Sequence, residues 1–247
     1  GRDGGAGNPD VPGENRVAYL YKDLPDGKAV FSRDVLPDQI GRFIHLERSD
    51  GKEVLIFPRF QQFDAVRKLL ADAKGHGAGQ NYLIQHSAGS GKSNTIAWAA
   101  HQIINLHDES DHPLFDTAII VTDRLVLDRQ LQNTIGGFAQ TEGVVKKIDG
   151  TSRDLKDAIV NGARIIITTI QKFGTEHLAT ISGQAGRNFA VIIDEAHSSQ
   201  SGKAAQAMSD ALTRDARSSD DIEDMVRAFQ KARGPQKNIS FLAFTAT

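Results

Sequence analysis

The sequence predicts an α/β protein whose mostly parallel sheet carries helices on both faces. Three observations predict it. Short apolar strands alternate with helical runs from Arg59 onward. A glycine-rich segment, Ser87-Ala-Gly-Ser-Gly-Lys-Ser93, stands between a predicted strand and a predicted helix. An Asp194-Glu195 pair closes a later apolar strand.

The elements follow in order. Phe60, Phe63, Val66 and Leu70 recur at near-helical spacing, and the helix they predict ends before the glycines at 75, 77 and 79. Tyr82–Gln85 reads as a short strand, and Asn94–Leu106 as the helix after the glycine loop. Ala118–Val121 is a second buried strand, followed by a helix over Leu125–Gln132. Val144–Ile148 reads as an edge strand. Ile165–Thr168, Phe189–Ile193 and Phe241–Phe244 are further apolar strands. Alternation of this kind implies right-handed crossovers and strands buried on both sides.

The first 57 residues differ. The first 58 hold five of the seven prolines, and the opening GRDGGAGNPDVPGEN has no apolar period. An irregular connector over 1–57 is expected, with short strands or turns around Val17–Tyr21 and Phe43–Leu46. The main domain is expected over 58–247. Between Leu212 and Lys237 lies a charged stretch with Asp220, Asp221, Glu223 and Asp224, read as an inserted surface helix.

Composition narrows the function classes. The chain has 247 residues, 29 Lys+Arg against 31 Asp+Glu, and no cysteine. A net charge of −2 excludes a histone-like basic domain but leaves room for a local DNA groove. Without cysteine there is no disulfide scaffold, thiol catalysis or Cys-based zinc site. No apolar run reaches the ~20 residues that span a bilayer, so a cytoplasmic protein without membrane contact is expected. His101, His107 and His112 stand near Asp108, Glu109 and Asp111, but their spacing matches no zinc signature and a solvated loop is expected.

The chemistry concentrates in two motifs. Gly89 and Gly91 let the backbone curl so that successive N–H groups face phosphate oxygens. The helix N-terminus adds positive potential. Lys92 is expected on the β- and γ-phosphates of ATP, and the Ser93 hydroxyl on Mg²⁺. The pattern wants glycine at 86, where this chain has His86. With Ser87, Ala88 and Ser90, these residues form the expected nucleotide cradle. Asp194 is expected to hold Mg²⁺, and Glu195 to accept a proton from the attacking water. A helix cap with a first-turn acid is the plainer reading of an isolated Asp-Glu pair. The buried strand before it and the glycine loop upstream favour the metal.

With both motifs placed, the chain resembles superfamily 2 helicases and translocases: Asp194-Glu-Ala-His197 matches their second motif and His86–Ser93 their first. IITTIQKF (166–173), DEAHSSQSGK (194–203), PRFQQFDAV (58–66), the opening NPDVPGENRVAYLYKDLP and GRFIHLE narrow the resemblance to the motor subunit of type I restriction-modification enzymes. The resemblance implies the first RecA-like lobe of such a motor. It implies that Gln62 reads adenine and that Thr122, Asp123 and Arg124, with Thr168, Thr169, Gln171 and Lys172, contact the DNA backbone. It further implies that His197, Thr245 and Thr247 couple hydrolysis to movement. Double-stranded DNA and the methylation and specificity subunits are the implied partners. A nuclease domain is expected upstream and a second lobe downstream, so this portion alone is expected to turn over ATP very slowly. Ser198 departs from the arginine common at that place. The competing reading is an ATP-dependent remodeller of RNA or protein. A structural relic without hydrolysis is disfavoured by the intact Lys92, Ser93, Asp194 and Glu195.

Overall fold

In a computed structural model the protein is described over residues 35–49, 52–87, 89–122, 135, 144–184, 186–194, 222–234 and 236–246. The helix expected over Leu125–Gln132 and the strands or turns near Val17–Tyr21 lie outside these residues. So do Ala88, Asp123, Arg124, Glu195, His197, Ser198 and Thr247.

Six strands form one sheet: β3 (Asn81–His86), β4 (Thr117–Thr122), β5 (Val145–Lys147), β6 (Ile165–Thr169), β7 (Phe189–Asp194) and β8 (Ile239–Ala246). Their order is β3-β8-β7-β4-β6-β5, and every pairing is parallel. The six strands predicted from Tyr82 onward are present; β5 is two residues shorter than expected and the others are one to four residues longer. Alternate residues of one strand feed different layers. Ala118 and Ile120 of β4 join one core cluster, and Ile119 and Val121 the other. That is why these strands read as unbroken apolar runs rather than as alternation.

Helices α2 (Phe60–His76) and α3 (Lys92–Ile103) cover the first face through Phe63, Val66, Leu70, Ile96 and Trp98. The second face carries α4 (Ser152–Val160), α5 (Thr175–Ser182) and α6 (Ile222–Arg233), with Leu155, Ile159, Leu178, Ile181 and Val226 inserted among the strands. The inserted helix expected between 212 and 237 is therefore present as α6, anchored in the core by Val226.

The end of the expected connector is not irregular. It holds α1 (Val35–Arg42) and an antiparallel hairpin of β1 (His45–Ser49) and β2 (Lys52–Ile56). Pro37 sits in the first turn of α1, where no backbone N–H partner is lost. The core reaches back across residue 58: Val35 and Phe43 are fully packed, and Phe43 meets Phe63 edge-on with ring centroids 4.7 Å apart. Trp98 Nε1 donates to the Phe43 carbonyl at 2.8 Å.

Candidate nucleotide site

Parallel strands present all their C-terminal ends on one edge of the sheet, the usual place for a site in such folds. His86, Thr122, Thr169, Asp194 and Ala246 end β3, β4, β6, β7 and β8 there. The glycine loop leaves β3 at this edge and enters α3 at Lys92. Gly89 and Gly91 have φ of 72° and 85°, so both need the left-handed freedom of glycine. Residue 86 does not. Among the described residues only Asp111 combines a side chain with positive φ. His86 can thus stand where the usual pattern has glycine, because its backbone is ordinary strand.

Lys92 Nζ lies 3.0 Å from Asp194 Oδ1, and both side chains are largely buried. The two motifs, carried by β3 and β7 with three strands between them in sequence, meet in space. Their pairing offsets the cost of burying each charge. Ser93 is half-buried in the first turn of α3. Ammonium, hydroxyl, carboxylate and a helix N-terminus form a set of groups that fits a magnesium-bound polyphosphate. No Cβ added at Gly89 would meet another atom, so that face of the loop is open.

The loop is also held from behind. Gln62 Nε2 donates to the carbonyls of Ser90 at 3.1 Å and Gly91 at 2.8 Å, while its Oε1 accepts from Arg59 N at 2.8 Å. Gln62 is 3 % exposed, so it is neither a surface glutamine nor, in this conformation, an edge waiting for a base. An adenine would compete with two loop carbonyls for its N–H groups. A Cβ on Gly91 would come within 2.5 Å of Gln62 Nε2. Arg59 Nη1 donates to the Gly89 carbonyl at 3.2 Å. Arg59 was not among the expected site residues; its place just ahead of the helix that carries Gln62 is the signal that could have found it.

The expected DNA contacts divide. Thr122 and Thr168 are each 1 % exposed and Thr169 3 %, so their hydroxyls are not offered to an outside phosphate. They end fully buried strands, and the apolar packing on both faces encloses them. Lys172 is half-buried, and its ammonium donates to the Ile148 carbonyl at 2.6 Å. Of the described members only Gln171 is exposed. Thr245 is buried on β8, paired in register with Gln85. Near the other histidines, Asp108 Oδ1 accepts from the N–H groups of Ser110 and His112, a local turn.

His86 and His101 are held below the ordinary imidazole value of about 6.5. Burial is the main cause for both; the Lys92 charge adds to it at His86, and at His101 the Ile135 carbonyl opposes it. Below pH 6.5 the unfolded chain takes up protons that the fold refuses, so stability falls as pH drops through that value toward the folded values. The urea midpoint should be lower at pH 5.5 than at 7.5, and the drop should be smaller in a His86→Gln/His101→Gln double variant. An equal drop in both proteins would refute this assignment.

The SWI2/SNF2 ATPase family model matches residues 61–218, more than half of the chain. The chain belongs to the SWI2/SNF2 ATPase family. This SWI2/SNF2 chain is also 30% identical, over 179 residues, to a Methanocaldococcus jannaschii protein described as the MjaIXP endonuclease subunit of a type I restriction enzyme. The match covers 67% of this chain and 13% of that relative, so the SWI2/SNF2 lobe spans only a small part of the relative's length. Among solved structures, the UvsW helicase of bacteriophage T4 is similar over 90% of this chain and 61% of its own, at 15% identity and a TM-score of 0.47. A DEAD box protein of the hyperthermophile Methanococcus jannaschii is similar over 76% and 43%, at 18% identity and a TM-score of 0.44. The architecture is that of a RecA-like lobe, as expected, and the family model makes it an ATPase lobe. Among the described residues no helix is long and apolar enough to cross a membrane.

Proposed function

We propose that this chain is the ATP-binding and hydrolysing lobe of a double-stranded DNA translocase, within the motor subunit of a type I restriction enzyme. The observation that carries the ATPase part is the 3.0 Å Lys92–Asp194 pair beside a left-handed glycine loop. The restriction setting is supported by the relative of that description and by the TTIQKF and DEAHSSQ segments.

Lys92 would exchange Asp194 for the β- and γ-phosphates of ATP, keeping its charge compensated throughout. Ser93 and Asp194 would hold Mg²⁺, which when bound supplies charge neutralisation on the phosphate oxygens. Glu195, adjacent to Asp194 in sequence, would take the proton of the attacking water. Backbone N–H groups of the loop would orient the phosphates, and Arg59 and Gln62 would keep the loop carbonyls turned away from them. A second lobe would supply arginines for the transition state, worth roughly 10³–10⁵ in rate in related chemistry. Closure of two lobes on ATP, then release, would step the motor along the DNA backbone. Methylation and specificity subunits would be its partners in the cytoplasm.

The RNA or protein remodeller shares both motifs, so stimulation separates the readings. ATP hydrolysis by the complete protein should rise with double-stranded DNA of any sequence and respond little to RNA. A larger response to RNA would overturn the DNA translocase while leaving the ATPase lobe in place.

A further inference from the structure

The residue that departs from the usual glycine loop has a place in the fold that the phosphate chemistry does not explain. His86 is the last residue of β3 and 4 % exposed. Its Nδ1 shares a hydrogen bond of 3.1 Å with the hydroxyl of Ser90, itself buried inside the loop. Its ring stacks on Phe244 of β8, with centroids 6.0 Å apart and planes 21° off parallel. Phe244 is paired in register with Asp194 on its other side, and His86 itself is paired with Ala246. One ring therefore touches the loop that would hold the phosphates and the strand that leads into Thr245-Ala-Thr247. Glycine at 86 would supply neither contact.

We propose that His86 is a positioning residue: its ring, seated on Phe244 and bonded to Ser90, fixes the phosphate loop against β8. It acts through Ser90 and the loop backbone and has no contact with the nucleotide. The loop is thereby held on two sides, by Gln62 and Arg59 on its carbonyls and by His86 on its one buried hydroxyl. A fixed loop presents its N–H groups without the entropy cost of ordering them on binding. The stack on Phe244 ties the same ring to β8, so a shift of that strand moves the loop. Lowered basicity from burial and from Lys92 keeps the ring neutral at pH 7, which suits an uncharged hydrogen bond beside an ammonium.

This inference rests on the nucleotide site proposed above, and two measurements on the 247-residue chain separate the failure of each. The first is binding of a fluorescent ATP analogue with Mg²⁺. His86→Ala should weaken it about 3- to 10-fold, the loss of one buried hydrogen bond. Ser90→Ala should weaken it similarly, and the double variant should be no worse than either single one. His86→Asn, which puts an amide near the Nδ1 position, should recover most of the affinity; a merely space-filling role would not be rescued so. The second is hydrogen exchange without nucleotide. His86→Ala should speed exchange in the peptide covering 86–93 and in the one covering 241–247, and Ser90→Ala in the first alone. Unchanged exchange at 86–93 in both single variants overturns the proposal, as does strictly additive loss of binding. If His86→Ala does not fold, Ser90→Ala, which removes only the hydroxyl, decides by the same readings. Absence of ATP binding by the unaltered chain would instead strike the proposed function, and exchange would still decide His86.

Discussion

Lys92→Ala should abolish ATP turnover in the complete protein, with a loss of at least about 10²-fold, as when one preorganised charge is removed from a phosphoryl or oxyanion site. The same substitution should also destabilise the lobe without nucleotide. Lys92 and Asp194 are 12% and 5% exposed at their side chains, and the ammonium is 3.0 Å from the carboxylate. Taking one charge from a buried pair leaves the other poorly compensated, at a cost of about 3 kcal/mol. A Lys92→Ala/Asp194→Ala double variant should therefore be more stable than Lys92→Ala and equally dead. Urea midpoints of the three proteins and their ATPase rates check both statements. If Lys92→Ala retained turnover, the role of the lysine on phosphate would be lost. If the double variant were the less stable, the ion pair would not be the compensated buried contact described here.

The elements nearest to this pair were the most legible from sequence, for a physical reason. A glycine loop between strand and helix and an acid at a strand end are local patterns, and the parallel sheet brings strand ends together whatever their separation along the chain. The inner strands β4, β6 and β7 were equally plain because burial on both faces leaves continuous apolar runs. What was not legible depends on tertiary contact. Nothing local tells that Gln62 spends its amide on the Ser90 and Gly91 carbonyls, or that Thr122 and Thr168 are closed over rather than open to a ligand. The density of prolines in the first 58 residues suggests an irregular connector, yet Pro37 occupies the one helical turn that tolerates it. Helix α4 did carry a usable signal. Thr151 and Asp154 form a capping pair, with Thr151 N donating to Asp154 Oδ2 at 2.6 Å. The amphipathic run behind it is short, and that kept it from standing out beside the strands.

Trp98→Ala should carry the largest cost to folding outside the nucleotide site. Trp98 is the single tryptophan of the chain, and it is fully buried in α3, the helix that starts at Lys92. Its ring packs against Phe43 with centroids 5.7 Å apart and against His45 at 6.0 Å, and its N–H satisfies the Phe43 carbonyl. Truncation to alanine opens a cavity and removes the indole donor, leaving the Phe43 carbonyl with His45 Nδ1 at 3.2 Å, for a total of about 3–5 kcal/mol. Trp98→Phe keeps most of the apolar contact and loses only the N–H, so about 1–2 kcal/mol is expected. The location of the damage is the sharper part. Because Phe43 joins α1 and the β1–β2 hairpin to α2 and α3, the alanine variant should release residues 35–57 first, seen as faster proteolysis and hydrogen exchange there before the sheet loosens. Uniform weakening of the sheet, with residues 35–57 no more labile than the rest, would show that this stretch is held by something other than the Trp98–Phe43 contact. Unfolding of the parent can be followed by the fluorescence of Trp98 itself and that of both variants by circular dichroism, so the comparison needs no added probe.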